Sequence, residues 1–214
     1  GNICQQLYTM VDTMVVGQVA GVEALAALGA VDFLMWVVTG ISTGLTQGFS
    51  IQLSQYYGAK DFENLRKSLA HSYRLTAFIA AGVLILSQSF ASLVLTGLHT
   101  PSNIIGMSLL YLRIIFCGIP ATAAYNMFAS ALRAMGNSKT PLTAMIIASV
   151  LNVSLDLLFV AGFGWGVAGA AIATVIAQSF SAVYCFLILR RIDIVHLTRA
   201  DFMPASGMNA RLMK

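Results

Sequence analysis

The sequence predicts an all-α membrane protein, a six-transmembrane-helix bundle. Three observations carry that expectation. Of 214 residues, 58% are hydrophobic and 9% are charged, against about 45–50% and about 25% in an average soluble domain. The apolar residues fall into six long runs separated by Gly, Pro and Asn turn signals. Basic residues gather on alternate connections between those runs. A soluble domain of this size leaves roughly a third of its unfolded-chain surface in water, and eight acids with twelve bases cannot furnish it. A soluble globule, a disordered chain and a nucleic-acid binder are excluded on that ground. A spanning helix needs about 20 apolar residues, so the chain has room for about six or seven spans.

The first span covers about 3–16 and ends in the loop signal of Gly17 and Gly21. The chain starts inside this apolar stretch, which already holds Gln5 and Gln6, with no Met and no basic segment ahead of it. A fragment whose first helix lacks its beginning is expected. The second span runs over about 25–57 and stops at Gly58 to Asp61. The third covers 68–98, with Gly97, Pro101 and Asn103 marking the next turn. The fourth covers 104–135 and contains Pro120, which lacks a backbone donor and should kink it; membrane helices tolerate such breaks. Gly136 to Lys139 form a turn, after which Thr140 and Pro141 suit the N-cap and first helical position. The fifth span is 142–160, closed by a Gly-rich loop that holds Trp165, a residue suited to the headgroup level. The sixth is 167–189. Residues 1–192 form the transmembrane lobe in this reading, and 193–214 a polar cytoplasmic or interfacial connector. Cys4, Cys117 and Cys185 show no ligand spacing and read as small buried hydrophobes.

Charge placement orients the bundle. Lys60, Arg66, Lys67 and Arg74 lie between spans two and three, Arg133 and Lys139 flank the fourth turn, and Arg190, Arg191, Arg199, Arg211 and Lys214 follow span six. The positive-inside rule puts these segments, and the C-terminal tail, in the cytoplasm of a multi-pass protein of the plasma (inner) membrane. Arg113 is the exception: it lies within span four, where it either snorkels outward or pairs with an acid.

Gly40, Gly44 and Gly48 recur every fourth residue of span two, a small-residue face suited to close helix packing. A weak internal echo links Asp12 and its following Gly17 and Gly21 with Asp156 and its following Gly162 and Gly166. Internal repeats of this kind are common in transporters, with sites near the midplane between repeats.

Asp12 lies about 7 Å below the outer end of span one at 1.5 Å per residue, and Asp156 at similar depth in span five. A charge well inside a helix costs about 2.5–3.5 kcal/mol on insertion scales, so two acids at matched depth point to a proton or cation site. Asn152 precedes Asp156 by one turn on the same face, and Thr174 in span six can approach it. Two carboxylates, an amide carbonyl and a hydroxyl suit a hard cation such as sodium; the same set suits a shared proton, and interhelical hydrogen bonding alone also accounts for Asn152 and Thr174. Tyr111 and Asn126 lie fifteen residues apart in span four, on one face of an unbroken helix. They line a cavity, or they are an interfacial Tyr and an Asn that bonds helices together. Gln47, Gln52 and Gln55 carry the same two readings. His71, His99 and His196 sit at or near loops without metal-ligand spacing, and no role is assigned to them. There is no nucleotide-binding loop, no catalytic triad spacing and no sign of an enzyme or a cofactor.

The sequence resembles the amino-terminal half of a multidrug and toxic compound extrusion (MATE) transporter. The matching segments are LYTMVDTMVVG at 7–17, ALAALG at 24–29, SQYYGA at 54–59, YLRI at 111–114, ALRAMGNSKTP at 131–141, LNVSLD at 151–156 and GVAGAAIAT at 166–174. They follow the family's order over nearly the whole chain. The resemblance implies twelve spans in two six-helix lobes around a central cavity. It implies export of drugs or of amphipathic or cationic organic small molecules, by antiport against sodium or protons. In the family's DinF-like branch, positions matching Asp12, Asn152, Asp156 and Thr174 form the cation or proton site of the first lobe. Positions matching Tyr111 and Asn126 belong to that lobe's polar cavity. The second lobe is absent from this chain, as is the early bending Pro that many members carry in the first helix.

Two rivals stand beside this reading. A lipid-linked oligosaccharide flippase of the wider superfamily would need a more cationic cavity, and only Arg113 lies within a span. A non-transporting scaffold subunit fits the small-residue face but not the paired intramembrane acids. The orientation is open to a direct test. A cysteine placed at Asn64, on a background without native thiols, should resist an impermeant thiol reagent in intact cells and react once the membrane is permeabilised. Labelling from outside would invert the topology.

Overall fold

The computed structural model describes residues 10, 13–18, 22–97, 102–192 and 194. Its regular elements are helices: 13–18, then α1 (Val22–Gly58), α2 (Phe62–Gly97), α3 (Ile105–Cys117), α4 (Ile119–Ala134), α5 (Lys139–Asp156) and α6 (Gly166–Arg190). A π-helical turn, Leu157–Gly162, joins α5 to the loop before α6. Phe62–Gly97, Lys139–Gly162 and Gly166–Arg190 are each long and apolar enough to cross a membrane. The bent pair α3 and α4 qualifies as one further crossing. α1 has 37 residues, or about 55 Å of helix.

The helix ends follow local chemistry. α1 stops where Lys60 takes a left-handed conformation, φ 56. The Asp61 and Lys60 amides then donate to the Tyr56 and Tyr57 carbonyls at 3.0 and 3.1 Å, a Schellman closure with Lys where Gly is usual. Asp61 next caps α2, its carboxylate accepting from the Asn64 amide at 3.2 Å and the Asn64 side chain at 2.6 Å. Those two bonds, with Lys67 nearby, hold the Asp61 carboxyl below its usual range. α2 therefore begins six residues before the expected 68, because hydropathy marks where a helix enters lipid and not where it starts. At the end of α4 the same closure uses Gly136, φ 82, with Asn137 donating to the Leu132 carbonyl at 2.9 Å. The Asn137 side chain accepts from the Thr140 amide at 3.1 Å. Helix α5 thus starts at Lys139, and Thr140 and Pro141 lie inside its first turn instead of serving as cap and first residue.

Span four is broken, with 42° between its two segments. The break falls at Gly118, and Pro120 sits in the first turn of α4, where its missing amide costs nothing. The expected kink is present but lies just before the proline. Val175 of α6 fixes its position: a Cβ on Gly118 would come within 2.8 Å of a Val175 methyl and 3.0 Å of the Ile115 carbonyl.

α6 packs on α5, α4 and α3, while α1 packs on α4, α2 and α3. Buried apolar residues form two separate clusters. One holds Tyr111, Leu112, Ile115, Phe116, Val160 and Ala170. The other holds Phe49, Leu65, Met127, Leu132, Cys185 and Leu189. Cys185 is buried as expected, but Cys117 is exposed; it continues a face with exposed Leu110 and Arg113, because an apolar stretch of a membrane helix need not face the core. Arg113 pairs with no acid among the described residues. Gly118→Ala is expected to destabilise the purified chain by about 1–3 kcal/mol through overpacking, read as the thermal unfolding midpoint in detergent. Val175→Ala should rescue it only in part, because the Ile115 carbonyl remains. Gly40→Ala, whose Cβ meets nothing within 4 Å among the described residues, should change little.

Candidate cation-coupling site

Between the two apolar clusters runs a layer of polar side chains. On α5, the π turn and α6, the first cluster takes Val160, Ala170 and Ala171, and the second takes Ala144, Ala182 and Cys185. Asn152, Asp156, Thr174 and Gln178 fall between them along the chain. Asn152 and Asp156 are 1% and 0% exposed. They stand one turn apart on the face of α5 that meets α6. The Asn152 side-chain amide donates to the Thr174 hydroxyl at 3.3 Å. The Asn152 carbonyl oxygen, equally buried, has no hydrogen-bond partner among the described residues. An orphaned carbonyl oxygen in a buried layer beside a carboxylate is a donor set for a hard cation or a proton-bearing species. Of the four residues expected to form this site, the structure bonds Asn152 to Thr174 and buries Asp156 one turn further along α5; Asp12 lies outside the described residues.

Local sequence explains the placement. Small residues on α6, among them Gly169, Ala170, Ala171 and Ala173, let α5 approach closely. A Cβ on Gly169 would come within 3.0 Å of the Phe159 Cβ and 3.1 Å of its carbonyl carbon. Directly after Asp156 the helix loosens into the π turn, and the Phe163 amide donates to the Leu158 carbonyl at 2.9 Å. Inserted π turns of this kind often mark functional sites in helices. The sequence carried no signal for it. Phe159 stacks on Trp165, ring centroids 5.1 Å apart, which ties the turn to the start of α6.

A second polar link was also missed. The Thr122 hydroxyl of α4 donates to the Gln178 carbonyl oxygen of α6 at 3.1 Å. Gln178 follows Thr174 by one turn, so the pair extends the layer toward the broken span. The pattern Thr174 to Gln178 at i, i+4 was a readable signal. Tyr111 is buried in the first cluster and Asn126 is half-buried. The 42° break between them removes the unbroken helix on which their shared face was reckoned. Gly40, Gly44 and Gly48 are exposed, and a Cβ on Gly40 or Gly44 would meet nothing within 4 Å among the described residues.

The family model MatE matches residues 1–158. The chain belongs to the MATE family. It is 32% identical over 192 residues to the probable multidrug resistance protein YoeA of Bacillus subtilis, covering 88% of this chain and 41% of that protein. It is 27% identical over 198 residues to the DNA damage-inducible protein F of Escherichia coli, covering 89% of this chain and 42% of that one. A crystal structure of MATE in the bent conformation superposes with a TM-score of 0.92 at 25% identity, over 98% of this chain and 47% of that chain. An inward-facing multidrug resistance MATE family transporter gives 0.91 at 25% identity, over 98% and 48%. This MATE chain thus spans about half the length of the curated relatives it matches, and its fold is that of one half of MATE transporters. It is an integral, multi-pass membrane protein of a transporter family, homologous to multidrug efflux proteins, and not an enzyme.

The Asn152–Thr174 bond yields a test within the chain. Thr174→Val keeps the shape but leaves a buried amide without its acceptor, at a cost of about 1–3 kcal/mol. Thr174→Ser restores the acceptor and should recover most of that loss. Equal unfolding midpoints for the Val and Ser variants would remove the bond from the account.

Proposed function

We propose that this chain is the first lobe of a cation-coupled MATE exporter and that its buried polar layer carries the coupling ion. The observation that supports this best is the Asn152 carbonyl oxygen, buried and without a hydrogen-bond partner among the described residues, one turn from Asp156. In this proposal Asp12 and Asp156 hold a sodium ion or a proton together with Asn152 and Thr174, as in the DinF-like branch. Sodium would take oxygen ligands from all four; a proton would be shared by the two carboxylates. The ion arrives from outside and neutralises the pair. Span one then repacks, and an amphipathic or cationic organic molecule is released outward. Coupling of this kind requires the ion to bind the two conformations with different affinity.

The remaining residues take supporting roles in the same proposal. Tyr111 and Asn126 serve the polar cavity of the lobe. Gly40, Gly44 and Gly48 form the close-packing face for a second six-helix lobe, which fits their exposure here and the length of the relatives. Residues 193–214 form the cytoplasmic connector toward that lobe, in the plasma (inner) membrane. The carboxylate is the part to test. In a full two-lobe protein, Asp156→Asn keeps volume and much of the hydrogen bonding but loses the ionisable group. Gradient-driven efflux from proteoliposomes, normalised to inserted protein, should fall to background. The double variant with Asp12→Asn should be little worse than either single one, because both act through one site. Full transport by Asp156→Asn would end the proposal.

A further inference from the structure

A second set of buried polar atoms lies away from the coupling layer, in the half of the lobe nearest the α1–α2 turn. Ser68, His71, Ser72 and Thr76 recur on one face of α2 at helical spacing. Ser68 and Ser72 are fully buried, and His71 is 4% exposed. His71 is therefore an interior residue, not the loop histidine its neighbourhood in the sequence suggests. The hydroxyls of Ser68, Ser72 and Thr76 and the His71 Nε2 are buried without a hydrogen-bond partner among the described residues.

Five serines and threonines elsewhere in the bundle behave differently. Ser89, Thr96, Ser149, Ser154 and Ser179 each donate to the carbonyl one turn back, at 2.7–2.9 Å. That local bond is open to any helical hydroxyl, yet the three on this face of α2 do not make it. Phe49 and Leu53 of α1 share an apolar cluster with Leu65 and Leu69 of α2. Gln52 lies on that same face of α1, its side-chain carbonyl oxygen buried. At this end of the bundle the α1 hydroxyl of Ser50 donates to the Ser130 carbonyl of α4 at 3.5 Å. The buried residues of α4 around that carbonyl, Ala129, Ser130 and Ala131, have small side chains.

We propose that this face of α2 is a binding site for internal water, organised around His71, and that the waters bridge α2 to α1 and α4. Buried polar atoms in folded proteins are satisfied by protein or by ordered water. Hydroxyl and imidazole groups both donate and accept, as water does, so water matches each of the four atoms without a change of charge. A bound cation has no carboxylate on this face to balance it, and Arg74 and Arg133 already bring positive charge to this end of the lobe. The proposal is independent of the coupling site. Its consequence is a joint between α1 and α2 whose bonds re-form after a small shift, where a dry apolar contact would resist one.

X-ray radiolytic footprinting of the purified chain in nanodiscs tests this, because a water held against a side chain generates hydroxyl radicals in place. The internal references are Phe49 and Met127, each 1% exposed in the neighbouring cluster. His71 should be oxidised several-fold faster than both, although methionine is the more reactive side chain. A membrane-impermeant radical scavenger in the bulk should leave that rate unchanged. In the variant Ser68→Ala, Ser72→Ala, Thr76→Val the rate at His71 should drop to that of Phe49, and the unfolding midpoint should drop with it. Protection of His71 equal to that of Phe49 and Met127 in the unmodified chain would overturn the proposal, whether or not the variant folds. So would a raised midpoint in the variant, the result expected when dry, unsatisfied hydroxyls are removed.

Discussion

Hydrocarbon offers no hydrogen bonds, and that constraint orders the rest of this molecule. Every backbone group must be paired inside its own helix, so the described elements are helices and the charges collect at their ends. Side-chain polarity inside the lobe must then be paired between helices or justified by a ligand. The layer between the two apolar clusters is one place where the chain meets that demand: there Asn152 joins Thr174 and Thr122 joins Gln178. The layer fixes the register of α5 and α4 against α6. It also keeps a buried carboxylate, Asp156, in a position that apolar packing alone would never select.

Much of the fold was legible because lipid enforces a simple code. Hydropathy located the helices, and the turn chemistry at Lys60 and Gly136 closed them near the expected residues. Features set by neighbours were not legible. The break in span four was read from Pro120, but its place at Gly118 depends on the approach of Val175 from α6. The π turn after Asp156 has no local composition that announces it. His71 looked like a loop residue because it follows a charged stretch; its burial depends on how α1 and α4 cover α2. Cys117 looked buried because its surroundings are apolar, but in a membrane helix an apolar stretch marks the lipid face as readily as the core.

The candidate site was legible by a different route. Matched acids, an Asn one turn away and a Thr on the facing helix could be read from residue chemistry and from the family pattern. The contact between Asn152 and Thr174 then follows from the small-residue face of α6. The layer's extension to Thr122 and Gln178 was visible only as unassigned polar residues, because nothing local tells which helix a polar side chain will meet. The exposure of Gly40, Gly44 and Gly48 makes the same point: the spacing signals close packing, while the partner lies outside what spacing can name.

The central claim is that this polar layer is an ion site and not only a set of bonds that hold helices together. The most direct measurement is the thermal unfolding midpoint of the purified chain and of Asp156→Asn, across sodium concentration at constant ionic strength and across pH. A ligand that binds only the folded form stabilises it in proportion to its occupancy. The account predicts that the difference between the two proteins varies with sodium or with pH. A difference that stays constant over both ranges would contradict it and leave Asp156 a structural residue.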